Sequence, residues 1–295
     1  MPYAFTSFDD TVQQGLRRIA RTQLTSALNG LDHADDLHLA IHDARKVCKK
    51  LRGLIRLVRP VFPEYAKENA ALRDAARLVS GFRDSTAMIE TYDRLDASPH
   101  HDHDRDVATA LREELEARRA AEEEDETVQD KLKAFRKALS DIRDRAEKWK
   151  LGKDGFAAFD DGLTDNVKRA RKAMRTARKT RTVEDFHIWR KFVKYHWYHA
   201  TLLHNVWPRK FEAHIEAAKD LGDLLGQHHD LSNFHILLQD PDMPGAARHA
   251  LYPPARDEMQ RLEKEALDLG ALLLAEKPKA LSKRWQAWWA LWRKA

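Results

Sequence analysis

One cysteine, Cys48, stands alone in 295 residues, so neither an intrachain disulfide nor a multi-cysteine metal site can be built from this chain. Turn formers are scarce too, with 11 Gly and 10 Pro. That scarcity excludes hairpin-rich, collagen-like and low-complexity architectures. No apolar run approaches the roughly 20 residues that a spanning helix needs, and Met1 to Asp10 has no charged-then-apolar leader. The expectation is a soluble, cytoplasmic protein without membrane insertion. Catalytic signatures are missing as well. There is no phosphate-cradling glycine loop followed by Lys-Ser or Lys-Thr, no nucleophile elbow and no convincing metal motif.

What remains is helix material. Ala, Leu, Lys, Arg, Glu and Asp dominate, and 43% of residues are hydrophobic, enough to bury real cores in an all-α protein. The formal charge of +5 is modest, but the charges are segregated. From His38 to Pro60 there are seven Lys/Arg against one acid, Asp43; from Asn166 to Lys194 there are eleven against two, Glu184 and Asp185. Between Glu113 and Glu126 eight acids face two arginines. A concentrated positive site with an acidic surface elsewhere recruits phosphates, nucleic acid or acidic lipids.

The chain repeats itself. His42-x-x-Arg45-Lys46-x-x-Lys49 recurs 145 residues later as His187-x-x-Arg190-Lys191-x-x-Lys194. A proline follows each copy, Pro60 and Pro208, and then a helix reading LRDAARLVSGFRD in the first half and AAKDLGDLLGQHHD in the second. At an offset of 146 these align Arg73 with Lys219, Arg83 with His229 and Asp84 with Asp230. Periodicity and breakers predict helices over 8–28, 35–59, 64–95 and 104–150, then 156–179, 183–206, 209–239, 246–274 and 278–293. The expected breaks are Asn29-Gly30, Pro60-x-x-Pro63, Ser98-Pro99, Pro208, Pro241-x-x-Pro244 and Pro278. Long helices joined by short turns make antiparallel bundles, so one bundle per half is expected, the two facing each other across a pseudo-twofold axis.

On a helical wheel His42, Arg45, Lys46, Lys49, Gly53 and Arg56 fall within an arc of about 100°. Ala44, Val47, Leu51, Ile55 and Val58 lie opposite. In the second copy His187, Arg190, Lys191, Lys194, Tyr198 and Thr201 share the cationic arc, against Trp189, Phe192, Val193, Ala200 and Leu203. Like charges one turn apart destabilise a helix by a few tenths of a kcal/mol per pair. An unneutralised stripe that is present twice is best explained by an anion that neutralises it when bound.

These residues resemble the CHAD domain, a family named for its histidine-bearing α-helices. The similarity rests on His42/Arg45/Lys46/Lys49/Lys50/Arg52, Gly81/Arg83/Asp84, His187/Arg190/Lys191/Lys194 and Gly226/His229/Asp230. It implies one domain over 1–295, with bundle halves over 8–150 and 156–295, enclosing a basic channel that binds inorganic polyphosphate. With the missing catalytic and metal motifs, the expectation is a binding module without enzymatic activity, cofactor or metal, and association with polyphosphate granules is compatible with it. Arg169, Arg171, Lys172 and Arg175, with Lys168, look like the family's lining helix. The implied binding set adds to these His42, Arg45, Lys46, Lys49, Lys50, Arg52, Arg56, Arg73 and Arg83 from the first half. From the second half it takes His187, Arg190, Lys191, Lys194, Tyr198, Lys219 and His229. The second copy departs from the first where Lys50 and Arg52 become Tyr195 and Trp197 and Arg83 becomes His229, so the second half carries fewer permanent charges and more pH-sensitive ones.

Several features have plainer explanations. For His42 and His187 an orienting hydrogen bond and direct phosphate contact are both open. His100, His101, Asp102, His103 and Asp104 read as a solvated turn, and neighbours such as His228 and His229 diverge on a helix. His196 reads as a core histidine, and Trp285, Trp288, Trp289 and Trp292 as the packing face of the last helix. Glu114-x-Glu116-x-Arg118 resembles the ExExK strand of the triphosphatases that accompany this family, but it lies in a helical run. Two alternatives stand beside polyphosphate binding. A nucleic-acid-binding helical protein is permitted by charge, but the basic arcs hold few aromatic platforms and no groove-reading motif. A polyphosphate-metabolising enzyme is the other.

Overall fold

Helices begin where side chains cap them. Thr11, Asp36 and Thr182 each accept from the backbone amide three residues on, at Gln14, Leu39 and Asp185, which satisfies one of the otherwise orphaned donors of a first turn. The computed structural model describes residues 3–97, 105–123, 127–240 and 245–294, with side chains except at 82–86, 105–108, 121–123, 245, 247 and 248. Among the described residues there are eleven α-helices, three short 3₁₀ turns and no strand. The helices are α1 (Val12–Asp32), α2 (Leu37–Leu57), α3 (Tyr65–Leu78), α4 (Gly81–Asp96), α5 (Arg105–Glu123) and α6 (Val128–Ala146). They continue as α7 (Asp160–Thr180), α8 (Val183–Leu202), α9 (Pro208–Leu237), α10 (Gly245–Leu273) and α11 (Pro278–Trp292).

The all-α reading holds, and three boundaries differ from expectation. Asn29-Gly30 does not end α1, because Leu28 and Leu31 continue its buried stripe. The helix expected over 64–95 is two, α3 and α4, parted at Val79–Ser80. There Arg45 Nη1 donates to Ala76 O at 2.9 Å and Val79 O at 2.8 Å, satisfying carbonyls that a continuing helix would have used. The helix expected over 104–150 is also two, α5 and α6, and stops at Ala146, after which Trp149 turns into the core at 2% exposure. The breaks at Ser98-Pro99 and Pro241-x-x-Pro244 lie outside the described residues.

Packing follows the repeat. α2 lies between α1 and α3, with α6 against both α1 and α3; α8 lies between α7 and α9, with α10 against both. α11 covers α7. A single hydrophobic core runs through both sets, from Leu16, Leu51 and Phe135 to Trp189, Phe211 and Trp285. A smaller core gathers α4, α5 and the facing parts of α9 and α10 around Tyr92, Leu111, Phe234 and Leu251. Polar pinning supplements the apolar burial. Glu68 on α3, almost wholly enclosed, takes both oxygens to Arg145 on α6 at 2.8 and 3.0 Å.

The two sets meet where α2 faces α8. Gly53 makes the approach possible, since a Cβ there would stand 2.8 Å from the Tyr198 ring. Buried His199 donates from Nε2 to Gly53 O at 3.1 Å. Gly53 and Tyr198 hold matching positions of the two copies, 145 residues apart. The cationic stripes of α2 and α8 therefore begin from a shared line of contact.

Candidate functional site

The repeat fixes which side chains flank that line, because a cation at i, i+4 or i+7 keeps to one face of its helix. α2 contributes His42, Lys46, Lys49, Lys50 and Arg52 to a cleft of about 640 Å³. α8 supplies His187, Arg190, Lys191, Lys194, Tyr195, Trp197 and Tyr198, and α9 adds Gly222, Asp223, Gly226, Gln227 and Asp230. Seven of these residues are permanent cations and two are carboxylates. Side chains 145 residues apart in the chain thus line one concavity.

Gly222 on α9 makes room for one long side chain of α8, and Gly226 lies in ordinary contact with another. A Cβ at Gly222 would come 3.2 Å from Lys194 Cδ, and one at Gly226 3.7 Å from Arg190 Nε. With hydrogen there instead, the stems of Lys194 and Arg190 lie across α9. Lys194 Nζ then sits 4.7 Å from the Trp197 ring and 3.0 Å from Asp223 Oδ1. Arg190 Nε is buried with no hydrogen-bond partner among the described residues, which leaves a donor whose pairing would return about 1–3 kcal/mol.

Burial, with crowding of like charge behind it, shows in the proton affinities. Burial lowers the pKa of Lys50, and Lys46 adds to the effect. Burial likewise lowers Lys191, with Arg56 and Arg52 repelling its proton. Lys194 is lowered by burial although Asp223 pulls the other way. His187 falls below its ordinary value through burial and Arg190. His229, whose Nδ1 lies 3.3 Å from Nδ1 of His187, is pushed down to about 4 by burial, His187, Arg190, His228 and Lys49. A cleft that weakens its own protons favours any ligand bringing negative charge.

Other residues of the implied set lie elsewhere. Arg45 faces the α3–α4 break, where it bonds the Ala76 and Val79 carbonyls. Arg56 spreads over the rings of Tyr195, at 4.3 Å, and Tyr65, at 5.8 Å. It shares a shallow depression with Arg59 and Arg169. Arg169 pairs with Asp165 on its own helix, and Arg171 donates to Glu276 O, while Lys172 and Arg175 are exposed. None of these four lines the cleft, because α7 packs on the flank of α8 away from α9. Arg73 is exposed and paired with Asp74. Lys219 reaches the rim through Asp223, 3.0 Å away. The side chain of Arg83 lies outside the described residues.

Sequence reasoning passed over Asp223, Gln227 and Gly222, and took Tyr195 and Trp197 only as lost charges where they form an aromatic wall of the cleft. A signal existed: Asp223, Gln227 and Asp230 are spaced i, i+4, i+7 on α9, the same rule that selected the cations. Elsewhere, His228 is buried, with Nε2 3.2 Å from Glu263. His196 is fully buried against Trp285 and His214. Trp285 and Trp289 are core residues. Glu114 and Glu116 make ion pairs with Arg118 and Arg112 along α5. His100, His101, Asp102, His103 and Asp104 lie outside the described residues. Among the described residues no group of three or more His, Cys, Asp or Glu is placed to hold a metal, and no helix is long and apolar enough to cross a membrane.

A family model described as "CHAD domain" matches residues 13–239, which takes in both copies of the motif. Among solved structures, PptA from Streptomyces chartreusis is similar over 88% of this chain and 98% of its own, with a TM-score of 0.59 and 13% identity. At that identity the likeness shows a shared fold. None of the curated proteins matches.

Proposed function

The chain belongs to the CHAD domain family, and from that premise we propose that it binds inorganic polyphosphate, without turning it over, in the cleft between α2 and α8. One observation carries the reading. His42, Lys46, Lys49, Lys50 and Arg52 of the first copy and His187, Arg190, Lys191 and Lys194 of the second line one concavity. The contact of Gly53 with Tyr198, matching positions of the two copies, supports a local twofold relation between bundle halves 8–150 and 156–295 of one domain. Such a relation gives a linear ligand two similar walls.

Polyphosphate is a flexible chain with about one negative charge per phosphate, so it meets successive cations as it runs along the cleft. Arginine offers forked donors to phosphate oxygens, and lysine offers adaptable point charges. The lowered proton affinities of Lys191 and Lys194 supply the driving force. Each improves when a phosphate arrives. These groups donate and attract, which supports holding a chain over cleaving one. A protein of this kind would collect at polyphosphate granules.

Nucleic acid is the second reading, favoured by Trp197 at the cleft wall. One face of that ring is stacked on Tyr198, with centroids 5.0 Å apart, and Lys194 sits over the ring, so it offers a poor platform for a base. Competition at fixed salt decides between them. Labelled polyphosphate should be displaced by unlabelled polyphosphate at far lower phosphate concentration than by single-stranded DNA or RNA, and the reverse order would overturn the proposal.

A further inference from the structure

Asp223 is one of two carboxylates, with Asp230, in a cleft lined by seven Lys and Arg side chains. Its Oδ1 accepts from Lys194 Nζ at 3.0 Å and its Oδ2 accepts from Lys219 Nζ at 3.0 Å. Two ammonium groups on different helices, α8 and α9, thus close on the two oxygens of one anion. A phosphate oxygen pair held between two lysines would have the same arrangement. Both lysines are also prepared for an anion. Lys194 has its stem laid on Gly222 and its ammonium against Trp197, and Lys219 stands at the rim. The carboxylate is half-exposed, at 44%, so it can turn to solvent without breaking the core.

The repeat shows that this carboxylate is no requirement of the fold. At the offset of 146, Asp223 matches Arg77 and Lys219 matches Arg73. The first half therefore carries a cation where the second carries an acid. There, Asp74 meets Arg73 and Arg77 on the exposed face of α3, and none of the three lines the cleft.

We propose that Lys194 and Lys219 form a phosphate subsite at the rim of the cleft that Asp223 occupies in the resting protein, and that this makes Asp223 a specificity-determining residue. The inference rests on the polyphosphate reading and assigns the discrimination within that site. A lone orthophosphate that entered would have to displace Asp223 for two contacts, an exchange of like for like. A chain already held by Arg190, Lys191 and the α2 lysines presents its next phosphate at high local concentration, and Asp223 yields. The carboxylate thereby screens out small anions and admits polymers, a discrimination achieved by an internal competitor.

The test uses the full chain, long-chain polyphosphate with a fluorescent end label, and unlabelled orthophosphate as competitor. Asp223→Asn keeps the shape and removes the charge, and Asp223→Ser guards against a new amide contact to either lysine. Thermal melts establish that both variants are folded. Both should bind the polymer roughly two- to fivefold more tightly, the range expected when a partly exposed ion pair no longer competes. Orthophosphate should displace the polymer from both at a several-fold lower concentration than from the wild type. Unchanged or weaker polymer binding by folded variants would overturn the assignment alone, showing that Asp223 only positions Lys194. Wild-type protein that binds no polyphosphate of any length would overturn the function proposed above and this inference with it.

Discussion

Arg45 and Arg190 hold the same place in the two copies of the motif, and their surroundings differ. Arg45 bonds two carbonyls at the end of α3, whereas Arg190 lines the cleft with a buried, unpaired Nε. Hydrogen bonds from a charged group are worth about 1.5–3 kcal/mol where enclosed. Arg45→Ala should therefore lower unfolding free energy by about 1–2 kcal/mol in a denaturant melt. Arg190→Ala should leave the melt nearly unchanged and weaken polyphosphate binding about tenfold, one charge-assisted contact. Equal stability loss in both variants would show that the motif arginines are structural in both halves. Spacing puts both arginines on the cationic arc of their helices. It could not reveal the break at Val79–Ser80 that draws Arg45 aside, because that break arises between helices. Asp223 was legible only through its spacing with Gln227 and Asp230 on α9, a pattern that a search for cations passes over.

Among elements, the α2–α8 pair decides the shape of the cleft. Gly53 sets their separation, since a Cβ would stand 2.8–2.9 Å from Tyr198 side-chain atoms. Gly53→Ala should push the helices apart, costing about 1–3 kcal/mol as overpacking does, and should also weaken polyphosphate binding. A denaturant melt and a titration on the same preparation check both, and unchanged values for each would mean that the joint is soft. Helix type was readable from composition and apolar spacing. Helix ends were less so, as α1 shows by running through Asn29-Gly30 to Asp32. Asn-Gly breaks a helix only where the turn is worth more than the buried face beyond it, and Leu31 lies beyond it, 2% exposed. α7 failed differently. Its basic run was legible, but the sequence carries no mark of which flank of α8 it would take.

For the molecule as a whole, histidines buried in and behind the joint between the two halves predict a loss of stability in acid. His199, fully buried between α2 and α8, is pushed down to about 3 by desolvation, and His214, behind α8, to about 4 by desolvation and Arg284. In the unfolded chain both titrate near 6.5. The unfolded state then binds more protons below that value, and folding loses free energy as pH falls from about 6.5 toward 3–4. Melting temperature should be flat above pH 7, fall by several degrees at pH 4.5, and fall less in His199→Gln. An unchanged slope in that variant would place the acid sensitivity elsewhere.

On the proposed function, cations from both halves of the chain share one polyanion. Titration of long-chain polyphosphate against wild type and against Lys49→Ala/Arg52→Ala/Arg190→Ala/Lys194→Ala, at several salt concentrations with melts to confirm folding, tests it most directly. Removing four phosphate contacts should cut affinity by more than about a hundredfold at low salt. It should also flatten the salt dependence of log K by about three units of slope. A folded quadruple variant that binds as tightly and with the same slope as the wild type would rule out a polyanion shared between the two helices.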